Sequence, residues 1–248
     1  MFLEFDDIDA QAARDTCRKA LEQRGAGWLS TEETRGVLLA LGLPVAPGGV
    51  AHSADDAVEV ARSLGFPVAV KLASHQIVHK TEMGGIFLHV QDAAGVQRAF
   101  EAIRQRLTEE GKLAAMQGVL VQPMVSGVVE AMVGVITDPL FGPLIAFGLG
   151  GVHVEILGDV RFRVTPLTDR DASDMVREIR GYRLLEGYRG HEPADVKALE
   201  EVLLRISLLV EEVPEITELD LNPILTRPPG QGCQIVDARL RVEPPNRG

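Results

Sequence analysis

Four short stretches of this chain place polar or charged residues where their surroundings call for apolar ones. The first is Lys71 inside "VAVKLA". A lysine in such a run either snorkels from a sheet edge along its own stem or aims its ammonium at a partner, and phosphate oxygens are one such partner. The second is "HKTEMGG", residues 79–85. Adjacent Gly84 and Gly85 let backbone amides crowd against an anion as a nest, although the same pair also makes a plain turn. His79 is either a structural polar residue or a nucleophile whose ring nitrogen accepts a phosphoryl group. The third is "TELDLNP". Period-two alternation sets Leu219 and Leu221 on one strand face and Glu218, Asp220 and Asn222 on the other. Oxygen-bearing side chains two residues apart can reach one hard cation. Magnesium takes one or two carboxylates and fills its octahedron with phosphates and water. The alternative is a solvent-facing polar row. The fourth is Asp237 in "QIVDARL", a charge within a strand pattern that needs a partner. A neighbouring strand carrying Asn222 supplies one through a shared ion.

Other phosphate-binding patterns are missing from the sequence. "GLGG" (148–151) lacks the strand–GxGxxG–helix context of a dinucleotide fold, and there is no GxxxxGK[ST]. A strand lysine, a glycine loop and a carboxylate–amide pair together describe a magnesium–nucleotide site built without a P-loop.

The elements that must carry these residues alternate between helical and strand periods. Helical spacing predicts helices over 8–24, from Ser30 (with Glu33 completing a capping box) to Gly42, from Ser53 to Leu64, from Asp92 to about Leu107, near 169–179 after Thr168, and from about Pro193 to Glu211. Strand patterns cover 66–73, 85–90, 118–125, "VEAMVGVIT", "PLIAFG", 161–167, 216–225 and 233–242. The chain thus reads as mixed α and β, with a subdomain boundary around Gln122–Val125. At 248 residues it can bury a real core in one large or two small domains. A net charge of −11 argues against a nucleic-acid surface, so any phosphate site must be local and metal-assisted. Cys17 and Cys233 have no metal or redox spacing. No signal-peptide or membrane-spanning pattern is visible, and the expectation is a soluble, cytoplasmic protein.

"SHQIVHKTEMGGI", "VLVQPMV", "DPLFGPLIAFGLGGVHVEILGD" and "ELDLNPIL…QIVDARL" resemble the ATP-grasp module of ADP-forming acyl-CoA (acetyl-CoA) synthetases, relatives of the succinyl-CoA synthetase beta subunit. The resemblance runs from about residue 30 to 242, with its blocks in family order. It implies an α+β ATP-grasp fold in which two subdomains clasp ATP or ADP with Mg2+. The smaller would span about 46–122 and the larger about 123–248, behind a helical lead-in over 1–29. It further implies Lys71 as the phosphate lysine, the Gly84–Gly85 loop beside it, and Gln122, Pro123, Met124 and Val125 as the hinge under adenine. Glu130 would be a further nucleotide contact and Asn222 and Asp237 the magnesium ligands. Asp220 would be the acidic residue near a phosphohistidine, and His79 the histidine that ferries phosphate.

The implied reaction is acyl-CoA + ADP + phosphate ⇌ acid + CoA + ATP, shared with a CoA-binding alpha subunit or domain that holds the other phosphorylatable histidine, in a hetero-oligomer. No CoA-binding domain is visible here, so the chain is expected to bind MgATP and to need that partner for acyl transfer. Two other readings stay open: a regulatory module of a fused protein acetyltransferase, and another ATP-grasp carboxylate ligase.

Overall fold

The computed structural model describes residues 5–77, 83–150, 158–190 and 192–245. In chain order the elements are α1 Ala10–Arg24, β1 Gly27–Trp28, α2 Thr31–Ala40, β2 Gly49–Ala51, α3 Ala54–Leu64, β3 Val68–Ala73, β4 Ile86–Val90, α4 Ala93–Glu109, β5 Gly118–Pro123, β6 Val129–Asp138 and β7 Gly142–Leu149. They continue with β8 Val160–Val164, α5 Asp169–Arg177, α6 Tyr182–Leu185, α7 Val196–Glu212, β9 Ile216–Thr226, β10 Cys233–Ile235 and β11 Ala238–Val242. The chain divides into two compact units. One comprises Met1–Leu29, Glu33–Val45 and Ser126–Gly248; the other comprises Ser30–Glu32 and Ala46–Val125.

The smaller unit is a four-stranded antiparallel sheet in the order β2-β5-β3-β4, with α3 and α4 supplying its core. Both helices begin where the sequence offers a cap. Ser53 accepts from the Asp56 amide and Asp92 from the Gly95 amide, satisfying N–H groups that the first turn leaves without partners. Gly65, at φ +85°, ends α3 in a backbone conformation that a side chain would strain. One face of α4, Val96, Ala99, Phe100, Ile103 and Leu107, meets Val68, Val70, Leu72, Val119 and Val121 of the sheet in one apolar cluster.

The larger unit is a sheet in the order β1-β11-β9-β6-β7-β8, with β10 also paired to β9. Its core joins Val133, Val135, Ile145, Phe147, Leu219 and Leu221 to the buried stripe Leu199, Val202, Leu203, Ile206 and Leu209 of α7. Thr168 and Asp171 form a reciprocal capping box at the start of α5.

The sequence reading treats 233–242 as one strand, and the structure breaks it. β10 ends at Ile235 and β11 starts at Ala238, which leaves Val236 and Asp237 between them. The break faces Asn222 and Pro223 of β9, and proline has no N–H to donate to a ladder. Alternation alone cannot show such a break, because the apolar pattern on either side of it is continuous.

Candidate functional site

The polar residues singled out in the sequence fall into two clusters, one in each unit. In the smaller unit β3 is flanked on both sides, by β5 and β4, so Lys71 does not stand on an edge strand. Val68, Val70 and Leu72 face the core. Alternation therefore sends Ala69, Lys71 and Ala73 to the other face, where Leu120 lies opposite Lys71 and Gln122 opposite Ala69. Lys71 is only 6% exposed and Gln122 only 1%. The buried Gln122 Oε1 has no hydrogen-bond partner among the described residues, an arrangement that costs free energy until a donor arrives.

The segment after Gln122 is pinned to its neighbours. Met124 N donates to Pro67 O at 3.2 Å, and Met124 Sδ accepts from His89 N at 3.4 Å. Val125 follows, half-buried. Both described ends of the glycine loop are anchored next to Lys71. Ser74 Oγ accepts from the Gln76 and Ile77 amides, while Gly85 O accepts from Leu72 N at 2.7 Å. Gly84 sits at φ +60°, and a Cβ there would strike the Arg106 guanidinium. His79 lies outside the described residues.

In the larger unit the cluster forms where β9 passes the β10–β11 break. Asn222 N donates to Asp237 O at 3.2 Å and Val236 N to Pro223 O at 3.0 Å, so the two segments stay joined across the break. Leu219 and Leu221 are buried, and the opposite face carries three polar rows. Glu218 pairs with Arg241 at 2.5 Å, Asp220 stands directly across from Arg239, and exposed Asn222 adjoins Asp237. Burial pushes the Asp220 carboxyl above its usual range. The Arg239 guanidinium opposes that rise, and the Asp237 carboxylate adds to it. Glu130 is exposed on β6 opposite Leu225, outside this group, and its carbonyl accepts from Gly150 N at 2.7 Å.

These two arrangements have definite chemical capacities. Asn222 and Asp237 offer two oxygen donors on hydrogen-bonded neighbours. No three His, Cys, Asp or Glu side chains among the described residues form a metal cage. A two-oxygen set suits magnesium, which keeps most of its shell for phosphates and water, and the residues present therefore fit that ion. In the other cluster the buried ammonium of Lys71 suits an anion, and the orphaned acceptor of Gln122 suits an amino group. The sequence reading missed Arg239. Its signal was visible two residues after Asp237 in "QIVDARL", where alternation returns to the same strand face.

Comparison with known proteins completes the description. Residues 19–242 match the ATP-grasp domain family. An ADP-forming acetate–CoA ligase of Archaeoglobus fulgidus is 41% identical over 95% of this chain, and the chain spans only 34% of that protein's length. The beta subunit of the ADP-forming acetate–CoA ligase I of Pyrococcus furiosus is 38% identical, over 92% of this chain and 97% of that subunit. Among solved structures, the dinucleotide-forming acetyl-coenzyme A synthetase 1 of Ca. Korarchaeum cryptofilum was determined with coenzyme A and Mg-AMPPCP, its phosphohistidine segment pointing towards the nucleotide-binding site. It superposes with a TM-score of 0.79 at 36% identity, covering 93% of this chain and 99% of that one. Among the described residues, no helix is long and apolar enough to cross a membrane.

Proposed function

The chain belongs to the ATP-grasp family, and from that membership we propose that it is the nucleotide-binding part of an ADP-forming acid–CoA ligase. The reaction is acyl-CoA + ADP + phosphate ⇌ acid + CoA + ATP. It runs through phosphohistidine transfer with a CoA-binding alpha subunit or domain. The observation that carries this reading is the pairing of Asn222 with Asp237 across the strand break, beside Asp220, whose carboxylate makes no hydrogen bond or close ion pair among the described residues. The similarity to a beta subunit over nearly its whole length supports it.

Each residue then has a task that its chemistry permits. Lys71 holds phosphate oxygens of the nucleotide, with the Gly84–Gly85 backbone alongside. Gln122, with the Pro123–Val125 segment, receives the adenine, whose amino group answers the orphaned Oε1. Glu130 is a further polar contact. Asn222 and Asp237 hold Mg2+, which supplies the positive charge that neutralises oxygens during in-line transfer. Asp220 accepts a hydrogen bond from the imidazolium side of the phosphohistidine, and His79 carries the phosphoryl group between nucleotide and partner.

His79→Ala separates these roles. With a CoA-binding partner present, it is expected to abolish ATP formation from acetyl-CoA, ADP and phosphate while leaving MgADP binding within about twofold. Turnover at the wild-type rate would remove His79 from the reaction.

A further inference from the structure

The polar face of β9 and β11 repeats one motif, an acid directly across from an arginine, and the two copies behave differently. In the outer copy Arg241 closes on Glu218 at 2.5 Å and on Glu243 at 3.0 Å. In the inner copy Asp220 and Arg239 occupy the same directly opposed register. Side chains in that relation have Cβ atoms about 5 Å apart, well within an arginine's reach. Yet neither the Asp220 carboxylate nor the Arg239 guanidinium makes a side-chain hydrogen bond or ion pair among the described residues, although Arg239 is half-buried. A guanidinium has five N–H donors and stays charged throughout the accessible pH range. One that is half-buried and stands across from a carboxylate without bonding to it keeps its donors for another acceptor.

Position says what that acceptor would be. Arg239 stands in β11 directly across from Asp220, and Asp220 is two residues from Asn222 on the same face of β9, a step of about 7 Å. A phosphoryl group held by a cation on Asn222 and Asp237 would present its remaining oxygens towards that guanidinium. Arginine's planar fork matches two such oxygens at once.

We propose that Arg239 binds the terminal phosphoryl group of the nucleotide, contacting oxygens that ATP has and ADP lacks. This rests on the nucleotide reading given above. Arg239 forms no covalent bond and gives up no proton. It donates hydrogen bonds to non-bridging oxygens, and it steadies the group as its bond to ADP breaks and its bond to the acceptor nitrogen forms. Asp220, left without a partner by this arrangement, stays available to the acceptor. Arg239 thereby separates the two nucleotide states, gripping the triphosphate and releasing the diphosphate.

Calorimetric titration of the full chain with MgADP and with the magnesium complex of the non-hydrolysable β,γ-methylene analogue of ATP tests this. Arg239→Gln is expected to weaken the ATP analogue by at least about tenfold, the loss of one charged hydrogen-bonding contact. MgADP should stay within about twofold. Arg239→Lys should fall between wild type and Gln, and Arg241→Gln should leave the ratio of the two affinities unchanged. Equal weakening of both ligands by Arg239→Gln would mean that the side chain only maintains the local structure, and would overturn the proposal. Unchanged affinities in both would do the same. A wild-type chain that binds neither ligand, alone or with a CoA-binding partner, would remove the nucleotide reading itself, and this proposal with it.

Discussion

Asp220 is a residue whose environment works against the stability of the fold. Burial and the Asp237 carboxylate raise its pKa in the folded chain, so the native state holds that proton more tightly than the unfolded state does. For an acid with a raised folded pKa, stability falls as pH climbs from the ordinary value of 3.8 through the folded one. Above that folded pKa the unliganded chain carries a charge that burial and the Asp237 carboxylate disfavour. Asp220→Asn is expected to raise the apo melting temperature at pH 7 by about 2–4 °C for each kcal/mol recovered. The gain should shrink as pH falls through the folded pKa, where wild-type Asp220 takes up its own proton. The same substitution should slow phosphoryl transfer with the CoA-binding partner. An apo melting temperature at pH 7 that is unchanged or lower would show that Asp220 is compensated by contacts beyond those described here. A strained, charged group that costs stability when empty is common where a ligand is to be bound.

At the scale of elements, one arginine ties three segments of the larger unit together. Arg205 on α7 is 6% exposed. It donates from Nη1 to Leu41 O at 2.8 Å, from Nη2 to Asp7 at 2.9 Å and from Nε to Glu201 at 2.9 Å, with its guanidinium 4.3 Å from the Phe5 ring centroid. Arg205→Leu keeps most of the stem's packing and removes the fork, leaving a buried carbonyl without a donor. The expected cost is about 2–4 kcal/mol, read from denaturant midpoints, with nucleotide affinity unchanged. A loss under about 0.5 kcal/mol would mean that water replaces the fork without penalty. Nothing in the sequence marked Arg205, because on a helix wheel it is one charge beside an apolar stripe, and its partners lie far away along the chain. Features that depend on nearest neighbours were legible. Ser53, Asp92 and Thr168 cap helices as their residue types predict. Leu219 and Leu221 alternate against Glu218, Asp220 and Asn222 as period two requires. The gap at Val236–Asp237 and the openness of Arg239 were not legible, since both arise from which strand lies opposite.

For the whole molecule, the composition excludes less than the local patterns include. A net charge of −11 says little about where an anion binds, because single positive groups held by sheets, such as Lys71 and Arg239, set the local charge. The ATP-grasp family match extends over 19–242 and so spans both units, and each contributes one polar cluster built on strand alternation. Lys71 and Gln122 stand on the face of one sheet that lies outside its apolar core. Asn222 and Asp237 stand at the break in the other. Under the function proposed, each cluster takes part in nucleotide binding, and that can be measured without the partner's chemistry.

The most direct test is a calorimetric titration of MgADP into the wild-type chain, Lys71→Ala and Asn222→Ala, each alone and with a CoA-binding partner subunit. Saturable binding to wild type, weakened about tenfold or more by either substitution, is the expected result, because each removes a charged or metal-mediated contact from the same nucleotide. Binding that is indifferent to both substitutions, or absent even with the partner present, would contradict the assignment of these two clusters to magnesium–nucleotide binding.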